Sequence, residues 1–109
     1  MSHYSDDFAL RWAELTLAEQ LGNVGSEVNR MISWRHKDKA IANRAFERML
    51  ELMDLTLANL HNKYRLREIA RARELLVGNW LASDLEGDVE LSQLNNYFFQ
   101  FALLSKLRS

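Results

Sequence analysis

The side chains here that can do chemistry are arginines, carboxylates and three histidines; cysteine is absent. That absence excludes disulfides, thiolate metal sites and cysteine nucleophiles. Arg65, Arg67, Arg71 and Arg73 form the densest basic group, with five Lys or Arg against two Glu between Leu60 and Val77. An RNA or phosphate footprint needs such a group, and Arg67 and Arg71 are its candidate contacts. The segment from Gly78 to Leu91 carries four acids and no base. The alternative is therefore that the two segments neutralise each other within the fold or across a dimer. No aromatic residues alternate with the arginines, as a base-stacking platform requires. Asp54, set among Leu52, Met53 and Leu55, reads as a partly buried carboxylate in need of a cation. Arg30, Arg71 or Arg73 can supply it; a catalytic carboxylate is the other reading. Asp84, Glu86, Asp88 and Glu90 surround Gly87 in the manner of a calcium loop. Counting from Asp84, however, Val89 and Asn95 stand where that loop needs its glycine and its closing Glu. No metal or cofactor is expected. A glycine-rich phosphate loop, a His-Glu-x-x-His helix and a nucleophile elbow are all missing. His3, His36 and His61 fall near an end or in connections.

In Arg30-Met31-Ile32-Ser33-Trp34-Arg35-His36, five residues separate an arginine from a histidine. This spacing resembles the Arg-x(4–6)-His pattern of HEPN-domain proteins. Those are small helical bundles that often dimerise, and many are ribonucleases of toxin–antitoxin or defence systems. The resemblance implies a ribonuclease in which Arg30 and His36 meet their symmetry mates across a dimer. Arg30 would hold a phosphate, and His36 would transfer a proton or contact the phosphate. More loosely, the whole chain resembles short bacterial helical proteins, a likeness that carries no activity.

Helices must position all of these groups. There is no proline to interrupt a helix, and four glycines are few for hairpin turns. Ser5 can cap a first helix over about residues 6–34, with Asp6 and Asp7 in its first turn. Leu10, Leu17, Leu21, Val24, Val28 and Met31 make one apolar stripe along it, flanked by Phe8, Trp12 and Leu15. Arg35-His36-Lys37 is a connection, and Asp38 caps a helix over 39–60. Its apolar face is Ala42, Ala45, Phe46, Met49, Leu50, Met53, Leu57 and Leu60. His61-Asn62-Lys63 leads into a third helix, 63–83, with Leu66, Ile69, Ala70, Leu76, Val77, Trp80 and Leu81. A polar turn follows, in which Gly87 is well placed to end a helix. The fourth helix is 91–107, with Ser92 as its cap. Short connections favour antiparallel neighbours, so the expected fold is an all-α, antiparallel four-helix bundle in a single domain over 1–109.

Two stretches stand out as surfaces. No charged residue occurs between Leu91 and Ser105, and apolar side chains go most of the way round that helix. Such a helix is either the centre of the core or an association surface. Tyr97, Phe98, Phe101 and Leu104 are the expected contacts if it is a surface. Ala18, Gly22, Gly25 and Asn29 share one face of the first helix. Two glycines inside a helix cost about 1 kcal/mol each relative to alanine, so something must offset them. Close approach of another helix, a kink, or room for a ligand would each do so.

With 109 residues, 48% of them hydrophobic and 27% charged, the composition is that of a globular domain and not of a disordered chain. A net charge of −1 supplies no global field towards nucleic acid or anionic membrane. The N-terminus lacks the pattern of a signal peptide, and no apolar run approaches the ~20 residues of a membrane span. A cytoplasmic protein is expected. The leading expectation for function is a non-enzymatic helical module that forms a homo-oligomer, a dimer first of all, or binds a helical partner. It would use the fourth helix, with Gly22 and Gly25. Ribonuclease activity at Arg30 and His36, and RNA binding at Arg67 and Arg71 without cleavage, are the alternatives.

Overall fold

The computed structural model describes residues 6–60, 63–82 and 84–108, and these are entirely helical apart from the connections. Ser5 as a cap, His3, the His61-Asn62 connection and Ser83 lie outside the described residues. The helices are α1 (Asp6–Glu14), α2 (Leu17–Trp34), α3 (Lys39–Ala58), α4 (Lys63–Ala82) and α5 (Leu85–Arg108). All-α is thus the fold class, with five helices among the described residues in place of the four expected.

The extra helix arises because the expected first helix divides at Thr16. Thr16 is extended, with φ −67° and ψ 159°. Its hydroxyl accepts from the Glu19 N–H at 3.1 Å, and its own N–H donates to Glu19 Oε1 at 2.8 Å. Thr16-Leu17-Ala18-Glu19 is a reciprocal capping box, which satisfies two N–H groups at a helix start. The division resets the helical register. Leu10, expected on the inner stripe, is exposed on α1, while Trp12 turns inward. The Trp12 indole donates to Thr56 Oγ1 at 3.2 Å, and its carbonyl accepts from the Gln20 side chain at 2.8 Å. The first bond docks α1 onto α3, and the second ties the end of α1 to α2.

Asp38 caps α3 as expected, accepting from the N–H groups of Ala40 and Ile41 at 3.0 and 3.2 Å. The last helix begins six residues earlier than expected, at Leu85. Asp84 accepts from the Gly87 N–H at 2.7 Å, and Glu86 and Asp88 occupy the first turn, where the helix dipole favours acids. Gly87 therefore starts a helix and does not end one, and Ser92 lies inside α5. A Cβ on Gly87 would meet the Asn79 carbonyl oxygen at 2.8 Å, so the α4–α5 corner needs a glycine there.

α2 packs against α3 and α5, α4 packs against α5 and α3, and α1 lies on α3. The core is Leu21, Val24, Val28 and Met31 of α2 with Met49, Leu52 and Met53 of α3, Ile69 and Leu76 of α4, and Leu91, Leu94 and Phe98 of α5. Leu66 and Leu81, expected on the inner face of α4, are exposed.

Candidate functional site

α5 meets a different environment on each side. Leu91 and Phe98 are wholly buried in the core. Towards α2, the close approach expected from the small-residue face occurs inside the chain. A Cβ on Gly22 would lie 3.2 Å from Ala102 Cα, and one on Gly25 would lie 2.9 Å from Phe98 Cβ. Asn95 donates to Asn29 Oδ1 at 3.4 Å further along the same contact. Gly22 and Gly25 therefore serve the α2–α5 contact, and the glycine cost is offset by the packing of Phe98 and Ala102.

Towards α4, the Tyr97 hydroxyl donates to the Glu68 carboxylate. The Tyr97 ring stands edge-on to Phe98 and Phe101, with centroids 5.1 and 5.3 Å apart. The Arg65 guanidinium lies 5.7 Å from the centre of the Phe101 ring. Burial, and then Glu68 as acceptor and as a negative charge, push the Tyr97 phenol well above its usual range.

These positions correct the expected contact set. Phe98 belongs to the chain's own core and offers nothing to a partner. Tyr97, Phe101 and Leu104 are half-buried. The exposed apolar side chains lie on the outward side of α5 instead: Leu85, Val89, Phe99, Leu103 and Leu107. Phe99 is 58% exposed, Leu85 78% and Leu107 83%. A signal for this stripe exists in the sequence. Leu85, Val89, Ser92, Asn96, Phe99 and Leu103 alternate spacings of four and three, the seam of a helix that pairs with another helix. The polar turn expected around Gly87 obscures it, because the first turns of α5 fall within that segment.

Arg30 and His36 do not share a cleft within one chain. Arg30 lies along the α2–α3 groove with Trp34, Arg44 and Arg48, its Nη1 3.0 Å from Glu27 Oε1. His36 follows the end of α2 and borders a separate cleft with Arg35, Lys39, Asn43 and Trp80. Its Nε2 is 3.1 Å from Asp88 Oδ2. The other oxygen of Asp88 is 3.0 Å from the Nε of the buried Arg35. Arg35 also donates to the Asn79 carbonyl at 3.3 Å and lies 4.7 Å from the centre of the Trp80 ring. Asp88, one of the four acids that resembled a calcium loop, thus anchors the α2–α3 connection to α5. No group of three or more potential ligands that could hold a metal occurs among the described residues.

The α4 arginines are largely paired by neighbours. Arg65 meets Glu68 at 3.0 Å and Arg71 meets Glu74 at 3.3 Å, each one helical turn away. Arg73 Nε lies 2.9 Å from Asp54 Oδ1, one of the three partners expected for that carboxylate. The Asp54 side chain is 62% exposed, so the pair sits at the surface and not in the partly buried setting expected. Arg67 is exposed. A second arginine group, not singled out in the sequence, lines the α1–α2–α3 groove: Arg11, Arg30 and Arg48 with Phe8, Trp12 and Glu27. Residues distant in sequence compose it, so no local spacing reveals it.

Compared with known protein families, curated proteins and solved structures, the chain matches none of them. Among the described residues no helix is long and apolar enough to cross a membrane.

Proposed function

We propose that the protein is a non-enzymatic helical interaction module that self-associates through the outward face of α5. The observation that carries this reading is the exposed stripe of Leu85, Val89, Phe99, Leu103 and Leu107 on one helix. Fully burying one such side chain is worth roughly 1.5–3 kcal/mol. Exposed apolar patches bordered by polar residues, as these are by Ser92 and Asn96, mark interaction sites in soluble proteins. The test is the solution mass, by light scattering after size exclusion, across a range of protein concentrations. A dimer is expected at micromolar concentration, and Leu103→Glu should return it to monomer with its helicity intact. A wild-type monomer at every concentration refutes the reading.

A second reading, RNA binding, is favoured by Arg11, Arg30, Arg44 and Arg48, which line two adjoining grooves, one between α1, α2 and α3 beside Phe8 and one between α2 and α3 beside Trp34. Guanidinium groups with adjacent aromatic faces suit a single strand. Binding of a labelled single-stranded RNA should then weaken steeply with salt and with Arg30→Ala. Arg67→Ala and Arg71→Ala compare the α4 site, and loss of cleavage in Arg30→Ala or His36→Ala is what the HEPN-like reading requires. Absent or salt-independent binding removes this reading.

A further inference from the structure

The cleft that His36 borders is built mainly from donors. It measures about 370 Å³ and is lined by Arg35, His36, Lys39, Asn43 and Trp80, with no carboxylate among them. Small-ligand sites span roughly 300–1,000 Å³, so it is large enough for a compact ligand. Arg35 sets it apart from the other clefts. Its side chain is only 6% exposed. Nε meets Asp88 Oδ1 at 3.0 Å and Nη2 donates to the Asn79 carbonyl at 3.3 Å, but Nη1 is buried with no hydrogen-bond partner. Native proteins meet nearly all their buried donors, and an unmet one is a place for a bound ion or water. On the open side of the cleft, Lys39 and Asn43 are exposed, one turn apart on α3. Neither side chain has a hydrogen bond or ion pair among the described residues. Asp38 and Asp88 adjoin these residues, and both are engaged. Asp38 accepts from the Ala40 and Ile41 N–H groups, and Asp88 is shared by Arg35 and His36.

We infer that this cleft binds a phosphate group, free or as a small ester, with Arg35 and Lys39 as its cations and Asn43 as a neutral donor. The inference is independent of the self-association reading. A phosphate presents several strong acceptor oxygens, so one group can answer donors on both the buried and the open side. On the buried side the guanidinium offers the nitrogen that Asp88 and Asn79 leave unmet, and a hydrogen bond from a cation to an anion is among the strongest available. On the open side the Lys39 ammonium is a mobile point charge that can follow the ligand. It stands in the first turn of α3, where the helix dipole also favours negative charge. Trp80 separates this site from one that reads bases. Phe46 stacks on its ring with centroids 5.4 Å apart, and the Arg35 guanidinium lies 4.7 Å from the ring centre. A base needs a free aromatic face to stack on, and here the chain's own groups already lie against the ring.

The test is a titration of the isotope-labelled protein, at constant ionic strength, with inorganic phosphate and separately with glycerol phosphate. NMR follows the Asn43 side-chain amide, the Arg35 Nε–H and the Trp80 indole N–H. Saturable shifts at these groups are expected with at least one of the two probes. Tighter binding of the ester assigns an organic phosphate, tighter binding of the ion assigns free phosphate, and either supports the site. Lys39→Gln should weaken binding about fivefold or more, as loss of a charge-assisted contact does. Lys37→Gln, beside the cleft but not lining it, should leave binding within about twofold. Arg35→Lys keeps the charge and removes the buried donor, so it too should weaken binding if circular dichroism shows the fold retained. Lys39→Gln tests the site whatever becomes of that variant. Shifts that do not saturate, or that sodium chloride reproduces, overturn the inference. Equal effects of Lys39→Gln and Lys37→Gln overturn it as well. So does a single-stranded RNA that shifts these groups when neither phosphate probe does.

Discussion

The two sides of α5 are equally apolar in sequence and opposite in structure. Phe98 and Phe99 are adjacent; the first is wholly buried and the second is 58% exposed. The buried one faces α2 where α2 has Gly25, so the two backbones come close enough that a Cβ on Gly25 would lie 2.9 Å from Phe98 Cβ. The exposed one lies at the rim of the α2–α5 cleft, beside Ser26 and Asn29, with most of its surface open to solvent. Apolarity therefore identifies which side chains need cover, whereas the size of the residues opposite decides which of them receive it from their own chain.

The contrast should break most visibly at the two phenylalanines. Phe98→Ala removes a buried ring and should cost about 3–5 kcal/mol of stability in thermal or denaturant unfolding. Phe99→Ala should stay within about 0.5 kcal/mol for the monomer, yet weaken self-association at least about tenfold, an effect worth 1.4 kcal/mol. Equal losses of monomer stability would mean that the two faces are not distinct.

Two glycines extend the comparison. Gly25→Ala puts a methyl 2.9 Å from Phe98 Cβ, an atom held close to the backbone, and overpacking of that kind should cost about 1–3 kcal/mol. At Gly78 on α4 a Cβ would meet nothing within 4 Å, so Gly78→Ala should stabilise by about 0.5–1 kcal/mol through helix propensity. Urea midpoints should move in opposite directions.

Tyr97 occupies the boundary between the two sides, and its hydrogen bond to Glu68 should contribute about 1 kcal/mol at neutral pH. Its phenol is raised in the folded state above the ordinary value of 10.0, because burial and Glu68 disfavour the anion. The unfolded chain thus releases this proton first. The Tyr97 contribution is complete below about pH 10 and is lost as the pH rises above it. Tyr97→Phe should flatten that alkaline part of the stability profile. An unchanged slope would show that Tyr97 is not held by Glu68.

The smallest effect belongs to the Asp54–Arg73 pair. Its exposure makes it a surface ion pair worth about 0.2–1 kcal/mol, so Asp54→Ala should lower stability only slightly, and less in high salt. A loss of several kcal/mol would mean that this carboxylate is far less solvated than its position indicates.

Much of the fold was legible because local rules set it. Asp38 announced the start of α3, and the three-and-four spacing of Leu21, Val24, Val28 and Met31 marked an inner stripe that is fully buried. Thr16-Leu17-Ala18-Glu19 and Asp84 were equally local and could have been read. An apolar periodicity that continues across Thr16 masks the first, and a glycine at position 87, a residue type that commonly ends helices, masks the second. The candidate surface was legible only in outline. A charge-free helix declares that cover is needed, but of Tyr97, Phe98, Phe101 and Leu104 the chain wholly buries Phe98 and half-buries the other three.

What the sequence determined by itself is the helical class, the three-and-four spacing that defines apolar faces, and the presence of more apolar surface on the last helix than one small bundle readily hides. Backbone hydrogen bonding, capping and side-chain periodicity act within a few residues, so they are written locally. What only the tertiary structure decided is which face of α5 is the inner one, that Gly22 and Gly25 receive that same helix, and that Arg30 and His36 point to different clefts. Those outcomes depend on how residues some seventy positions apart pack, as Gly25 does against Phe98 and Gly22 against Ala102. Close packing selects among faces of equal apolarity by shape, and shape complementarity between distant segments leaves no local trace in the chain.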